Sequence, residues 1–277
     1  MKDFIALAVT LAACSSSSNP PPKTLSPAPR SGADVALTSA LAGRARTEVE
    51  RARDGARHPA ETLTFFGLRS DMSVVELCPG LGWYTAILAP YLRERGRLTV
   101  AVFGADDPKS EWADEARAIA ERFAGDPADF DKVAVQQVSS GNLLLGADES
   151  ADLVVTFRNV HNWIPEHTAS DVFHAAARVL KHGGVLGVED HRAAHDQTAQ
   201  QVKDTGYVSE AQVIALAADA GLVLDARSDV NANPRDSKDH PHGVWSLPPT
   251  YAGKDIDRAR YSAIGESDRM TLRFRKP

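Results

Sequence analysis

A chain of 277 residues with 43% hydrophobic and 25% charged side chains can build one large core or two small ones, which excludes global disorder. Its net charge of −6 repels a phosphate backbone, so nucleic acid is not expected as a partner. Two cysteines, Cys14 and Cys78, are too few for a disulfide scaffold and lack metal-ligand spacing.

The chain opens with Met1 and Lys2, followed by an apolar run from Phe4 to Ala13 broken only by Thr10. At about ten residues this run is half the length of a bilayer-spanning helix, which suits the h-region of a signal peptide and not an anchor. Its end, Leu11-Ala12-Ala13-Cys14, resembles the lipobox of bacterial lipoproteins. The resemblance implies that residues 1–13 are a signal peptide and that Cys14 carries the lipid, the chain's sole tie to a membrane. Ser15 after the cysteine resembles the sorting pattern for the outer membrane, so a place in the cell envelope, on the periplasmic face of that membrane, is expected. Residues 14–32, rich in Ser and Pro, cannot pack a core and read as a tether.

From residue 33 the pattern is α/β. A charged, Ala-rich amphipathic stretch at 33–53 is followed by a helix that opens at His58-Pro59 and stops at Gly67. β-Branched runs then recur at 74–77, 98–102, 133–138, 153–157, 185–188 and 222–224, mostly separated by helical segments. Such alternation predicts a parallel sheet covered on both faces. One helix is expected to begin near Thr168 and stop at Gly183-Gly184. Another should begin at the capping box Ser209-Glu210-Ala211-Gln212 and end before Gly221. A polar stretch at about 229–266 reads as a turn-rich insert, either a cover that caps its own backbone or a substrate lid. The chain closes on an alternating run, Met270-Thr271-Leu272-Arg273-Phe274.

After the first strand stands Glu76-Leu77-Cys78-Pro79-Gly80-Leu81-Gly82, a turn whose missing Cβ atoms let a ligand approach the backbone. A dinucleotide fingerprint needs a third glycine where Thr85 stands, so NAD is disfavoured. With the acid closing the strand and the Gly80-Leu81-Gly82 turn, the stretch resembles motif I of class I S-adenosylmethionine (SAM) dependent methyltransferases. Asp152 to Trp163 falls at that family's fourth strand and motif IV, and Val179-Leu180-Lys181-His182-Gly183-Gly184 at its turn before the fifth strand. Over residues 33–277 the chain is similar to a bacterial group described as predicted methyltransferases. The resemblance implies a Rossmann-like seven-stranded methyltransferase sheet with the last strand antiparallel and helices on both faces. It implies SAM as cofactor, held by Glu76, Cys78, Gly80 and Gly82. Cys78 stands at the first glycine position of the motif. The second strand ends without the acid that accepts the ribose hydroxyls, the nearest being Asp106 and then Asp107.

Arg158-Asn159-Val160-His161-Asn162-Trp163 follows the fourth strand, and Asp190-His191 ends the fifth, so both face the crevice where open α/β sheets bind ligands. His161 is the candidate base, with Asn159 or Asn162 orienting it. Arg158, Trp163, Asp190 and His191 are candidates for lining the substrate side. His191 and His195 stand four apart, and Asp190, Asp196, Asp239, His240 and His242 add donor types, but such spacing is common in polar loops and no metal is expected. The sequence thus leads to SAM-dependent methyl transfer to a small molecule. The alternative is a methyltransferase-like domain without catalysis that holds a periplasmic ligand in the same crevice, and a metal-dependent hydrolase is a more distant one.

Overall fold

Residues 34–104, 112–139 and 141–277 are described by the computed structural model. The expected signal peptide 1–13, the tether 14–32, Cys14 and Asp106 lie outside the described residues. Four helices come first: α1 (Val35–Ala42), α2 (Glu48–Arg51), α3 (Asp54–Arg57) and α4 (Pro59–Phe66). α4 begins on Pro59, whose missing N–H costs nothing at a helix start, and ends at Gly67 with φ 83° as expected. Then follow β1 (Ser73–Leu77), α5 (Thr85–Leu92), β2 (Arg97–Phe103), α6 (Ala113–Gly125), α7 (Pro127–Phe130), β3 (Ala134–Val138) and β4 (Ala151–Phe157). The remainder is α8 (Val160–Trp163), α9 (Ala169–Val179), β5 (Leu180–His191), α10 (Ala199–Thr205), α11 (Glu210–Asp219), β6 (Val223–Ser228), α12 (Arg258–Ile264) and β7 (Arg269–Arg275).

Successive side chains of a strand point to opposite faces, and this splits the apolar residues into two cores. Val75 and Leu77 of β1 join Val154 of β4 and the α9 residues Val172, Phe173 and Ala176 on one face. Val74 joins Val100, Leu153 and Val155 on the other face, against α1, α4, α5 and α6. The expected helices on both faces are thus present. Packing is close where the sheet allows it: a Cβ on Gly187 of β5 would lie 2.6 Å from the Phe66 ring, so only glycine lets α4 sit there.

The strands form one seven-stranded sheet in the order β3-β2-β1-β4-β5-β7-β6. β1 pairs in parallel with β2 and β4, and β4 with β5, while β7 runs antiparallel between β5 and β6. The strand order reverses between β1 and β4, and their carboxyl ends therefore open the crevice that open α/β sheets use for ligands. The capping box at Ser209 is formed, with Ser209 Oγ accepting from Gln212 N, and Gly221 follows α11 with φ 78°.

The expected stop of the preceding helix at Gly183-Gly184 is corrected. α9 ends at Val179 and both glycines lie inside β5, because Leu180 already pairs with Ala151 and draws the chain into the sheet. The 229–266 stretch is tied to the rest of the fold through Asn231 and Asp236. Asn231 Nδ2 donates to Thr62 and Thr271 Oγ1, and buried Asp236 accepts from Tyr207 Oη, His240 Nε2 and the Asp268 backbone N–H.

Candidate active site

The turn after β1 is built on left-handed backbone: Cys78 has φ 48°, Gly80 56° and Gly82 79°. A side chain at Cys78 costs about 1 kcal/mol there, and its buried thiol is pushed well up by desolvation, so the group is neutral and inert. The two glycines serve different neighbours. A Cβ on Gly80 would meet nothing within 4 Å, whereas one on Gly82 would strike Ile119 Cδ1 of α6 at 2.6 Å. Gly80 therefore leaves room for a ligand, and Gly82 leaves room for the protein itself.

Glu76 lies beneath this turn. It is 2% exposed and accepts a hydrogen bond from Thr85 Oγ1 at 2.7 Å, which ties the strand to the start of α5. Burial pushes its carboxyl up to about 8, against the opposing pull of Thr85 and Arg122. Between its ordinary value of 4.5 and about 8 the folded chain keeps a proton that the unfolded chain has lost, so stability falls as pH rises through that window. The Glu76→Gln variant should therefore gain on the wild type as pH rises, by a few kcal/mol at pH 9 and little at pH 4. Urea unfolding across this range reads the difference, and a gap that does not change with pH would mean that Glu76 is ionised at neutrality.

Beyond β4, Asn159 is 6% exposed and its Nδ2 donates to Leu77 O (3.1 Å), Cys78 O (3.2 Å) and Thr156 Oγ1 (3.0 Å). Its amide clamps the β1 turn, leaving the orientation of His161 to another residue. That residue is Asp190. His161 Nδ1 donates to Asp190 Oδ1 at 3.0 Å, and the carboxylate also accepts from the backbone N–H of His161 (3.3 Å) and of His191 (2.7 Å). Asp190 is fully buried and His161 7% exposed, so the pair is fixed from below while the ring lines a cavity of about 430 Å³ with Asn162, Lys203 and Trp245. His191 Nδ1 hydrogen-bonds Ser267 Oγ at 2.6 Å, and its ring lies 5.0 Å from that of His161. Trp163, expected to line the substrate side, is 1% exposed and belongs to the core beside Phe103 and Cys78.

A second cavity of about 350 Å³ joins the β1 turn to the β4 loop through Cys78, Gly80, Arg158 and Asn159. Trp112, Glu115 and Asn162 stand on the walls of both cavities. Among solved structures, a SAM-dependent methyltransferase from Aquifex aeolicus matches with a TM-score of 0.54 at 16% identity, covering 82% of this chain and 93% of that one. The [4+2]-cyclase SpnF matches with a TM-score of 0.58 at 17% identity, covering 88% and 93%. This is the methyltransferase fold. No protein-family model matches the chain, and no curated protein does. One of these two structures is named a cyclase, so the methyltransferase fold by itself does not determine the reaction.

On this methyltransferase fold the residues present fit SAM at the β1 turn, where Gly80 opens a wall that any Cβ would fill. β2 ends in Phe103 without an acid, but Glu115, in the first turn of α6, lines the adjoining space with Cys78, Gly80 and Phe103. Sequence reading missed Glu115, as it missed Arg53 and Arg57, which the two ends of α3 carry to the second cavity. The signal for the latter two was the arginine density of 44–57. Among the described residues, His161, Asp190 and His191 offer ligand atoms within 4.8 Å of one another, while His195 is not part of that group. Burial, then the charges of His161, Arg158, Arg269 and Arg57, hold His191 well below its ordinary range.

Proposed function

We propose that this protein transfers a methyl group from SAM to a small-molecule acceptor, with His161 as the base and Asp190 as the residue that positions it. The observation that carries this reading is the buried His161–Asp190 pair at the edge of a cavity that shares Asn162 with the space above the Gly80 turn. Bound SAM supplies an activated methyl group, so the protein's task is mostly placement. Gly80 and Glu115 line the cofactor side, and the acceptor lies along Asn162, which stands on the walls of both cavities. With Nδ1 committed to Asp190, His161 Nε2 is the ring atom left to take the acceptor's proton. Calorimetric titration of the protein with SAM and with S-adenosylhomocysteine tests the reading. Micromolar binding of both is expected, and absence of binding removes methyl transfer.

The β2 end without an acid favours a second reading, a domain that holds a ligand in this crevice without catalysis. Such a domain would bind small molecules while SAM leaves it unaffected. We further propose that Cys14 is lipidated and that the domain works in the cell envelope, on the periplasmic face of the outer membrane. The support is the Leu11-Ala12-Ala13-Cys14 sequence and the Ser- and Pro-rich stretch behind it. Fatty-acid labelling of the protein in a bacterial host is expected, and Cys14→Ala should abolish the label and leave the precursor uncleaved. An unlabelled wild type refutes the assignment.

A further inference from the structure

The geometry points to an acidic acceptor: a small molecule whose oxyanion, carboxylate or phosphate, is received by Arg53, Arg57 and Arg158 on the wall of the 350 Å³ cavity. This rests on the methyl-transfer reading for what happens to the molecule, but not for its charge.

Four guanidiniums gather at this wall around two carboxylates. Glu266 takes Arg53 (2.8 Å), Arg57 (3.3 Å) and Arg269 (3.0 Å). Glu189 takes Arg269 (3.3 Å) and stands 3.6 Å from Arg158 Nη1, too far for a hydrogen bond, so that nitrogen is buried without an acceptor. Of the other two acids on the wall, Glu50 is already paired with Arg122 at 2.7 Å, and burial raises the Glu115 carboxyl toward its neutral form. The cluster is thus two negative charges short. Burying unpaired charge is costly, and such clusters are completed by a partner. Burial, and then the charge of Arg158, bring Arg57 down to about 9.

The three wall arginines converge from the two ends of α3, with Arg53 its N-cap, and from the loop after β4. Arg53 and Arg57 ride on the N-terminal helices, and Arg158 is turned inward by left-handed backbone at φ 61°, with its N–H held by Glu189 O at 2.7 Å. Guanidiniums match oxyanions through paired, charge-assisted hydrogen bonds. SAM does not neutralise this wall, because its ammonium and sulfonium outweigh its single carboxylate. An anionic acceptor does, and it lowers the cost of bringing a sulfonium beside guanidiniums.

Calorimetry on the full chain, with malonate, inorganic phosphate and uncharged malonamide as probes, tests this with and without saturating S-adenosylhomocysteine. Malonate or phosphate should bind in the presence of S-adenosylhomocysteine, and malonamide should not. Arg158→Gln should weaken the anion roughly 10- to 100-fold, with Arg158→Lys keeping part of the affinity. Arg53→Gln, at a side chain 25% exposed, gives the same readout should Arg158→Gln fail to fold. Equal binding of malonamide, no anion binding, or unchanged affinity in the folded variants overturns the proposal. Displacement of malonate by S-adenosylhomocysteine also overturns it, because the arginines would then serve the cofactor's own carboxylate. Anion binding by a protein that ignores S-adenosylhomocysteine upholds the anion site while refuting methyl transfer.

Discussion

Turnover of the His161→Ala variant is expected to fall roughly 10²- to 10⁴-fold, with affinity for SAM unchanged within about twofold. The size follows from what the ring does. Its Nδ1 is held by Asp190, itself fixed by two backbone N–H groups, so Nε2 meets the cavity in one orientation and the base is preorganised. Asp190→Asn should lower turnover comparably, because an amide that donates to Nδ1 puts the ring proton on Nε2 and removes the charge that stabilises the protonated imidazole. The measurement is S-adenosylhomocysteine formed with an acidic acceptor, beside calorimetric affinity for SAM. A variant that loses SAM binding would make His161 a cofactor residue. Near-normal turnover would leave placement alone as the source of rate, with water taking the proton.

Gly80→Val should weaken SAM binding roughly 100-fold or more while the chain still folds. The position has φ 56°, so any side chain costs about 1–2 kcal/mol of backbone strain, a tolerable fraction of a domain's stability. No protein atom lies within 4 Å of the added Cβ, so the bulk enters the cavity and nothing else. Gly80→Ala carries the same strain with less bulk and separates the two effects. Gly82→Val is the contrast: its branched Cβ drives into Ile119 and Arg122 of α6 and should unfold the region before any ligand is added. Thermal unfolding and titration with SAM read both variants. Undiminished SAM affinity in Gly80→Val would detach the cofactor from this turn.

The sheet was legible because its determinants are local. Runs such as 74–77 and 153–157 are β-branched and buried on both faces, and Gly67, Ser209 and Gly221 punctuate helices within a few residues of the bonds they make. The Gly80 turn was legible for the same reason, since a positive φ is written into the residue that adopts it. The end of α9 was not, because pairing of Leu180 with Ala151 overrides the Gly183-Gly184 signal, and that pairing spans 29 positions.

For the site, the sequence by itself determined which residues reach the crevice's edge: the positions after β4 and at the end of β5 follow from strand order and length. Only the tertiary structure decided what each side chain does there. Asn159 clamps Leu77 and Cys78 from more than 80 positions away, Glu76 turns beneath the loop to Thr85, and Trp163 enters the core. Asp190 reaches His161 across 29 positions, and Arg53, Arg57, Arg158 and Arg269 converge from both ends of the chain. The physical reason is that a strand's direction follows from periodicity within a few residues. The aim of a polar side chain in a loop follows from backbone angles such as φ 61° at Arg158, and from partners that only the folded chain brings within hydrogen-bond reach.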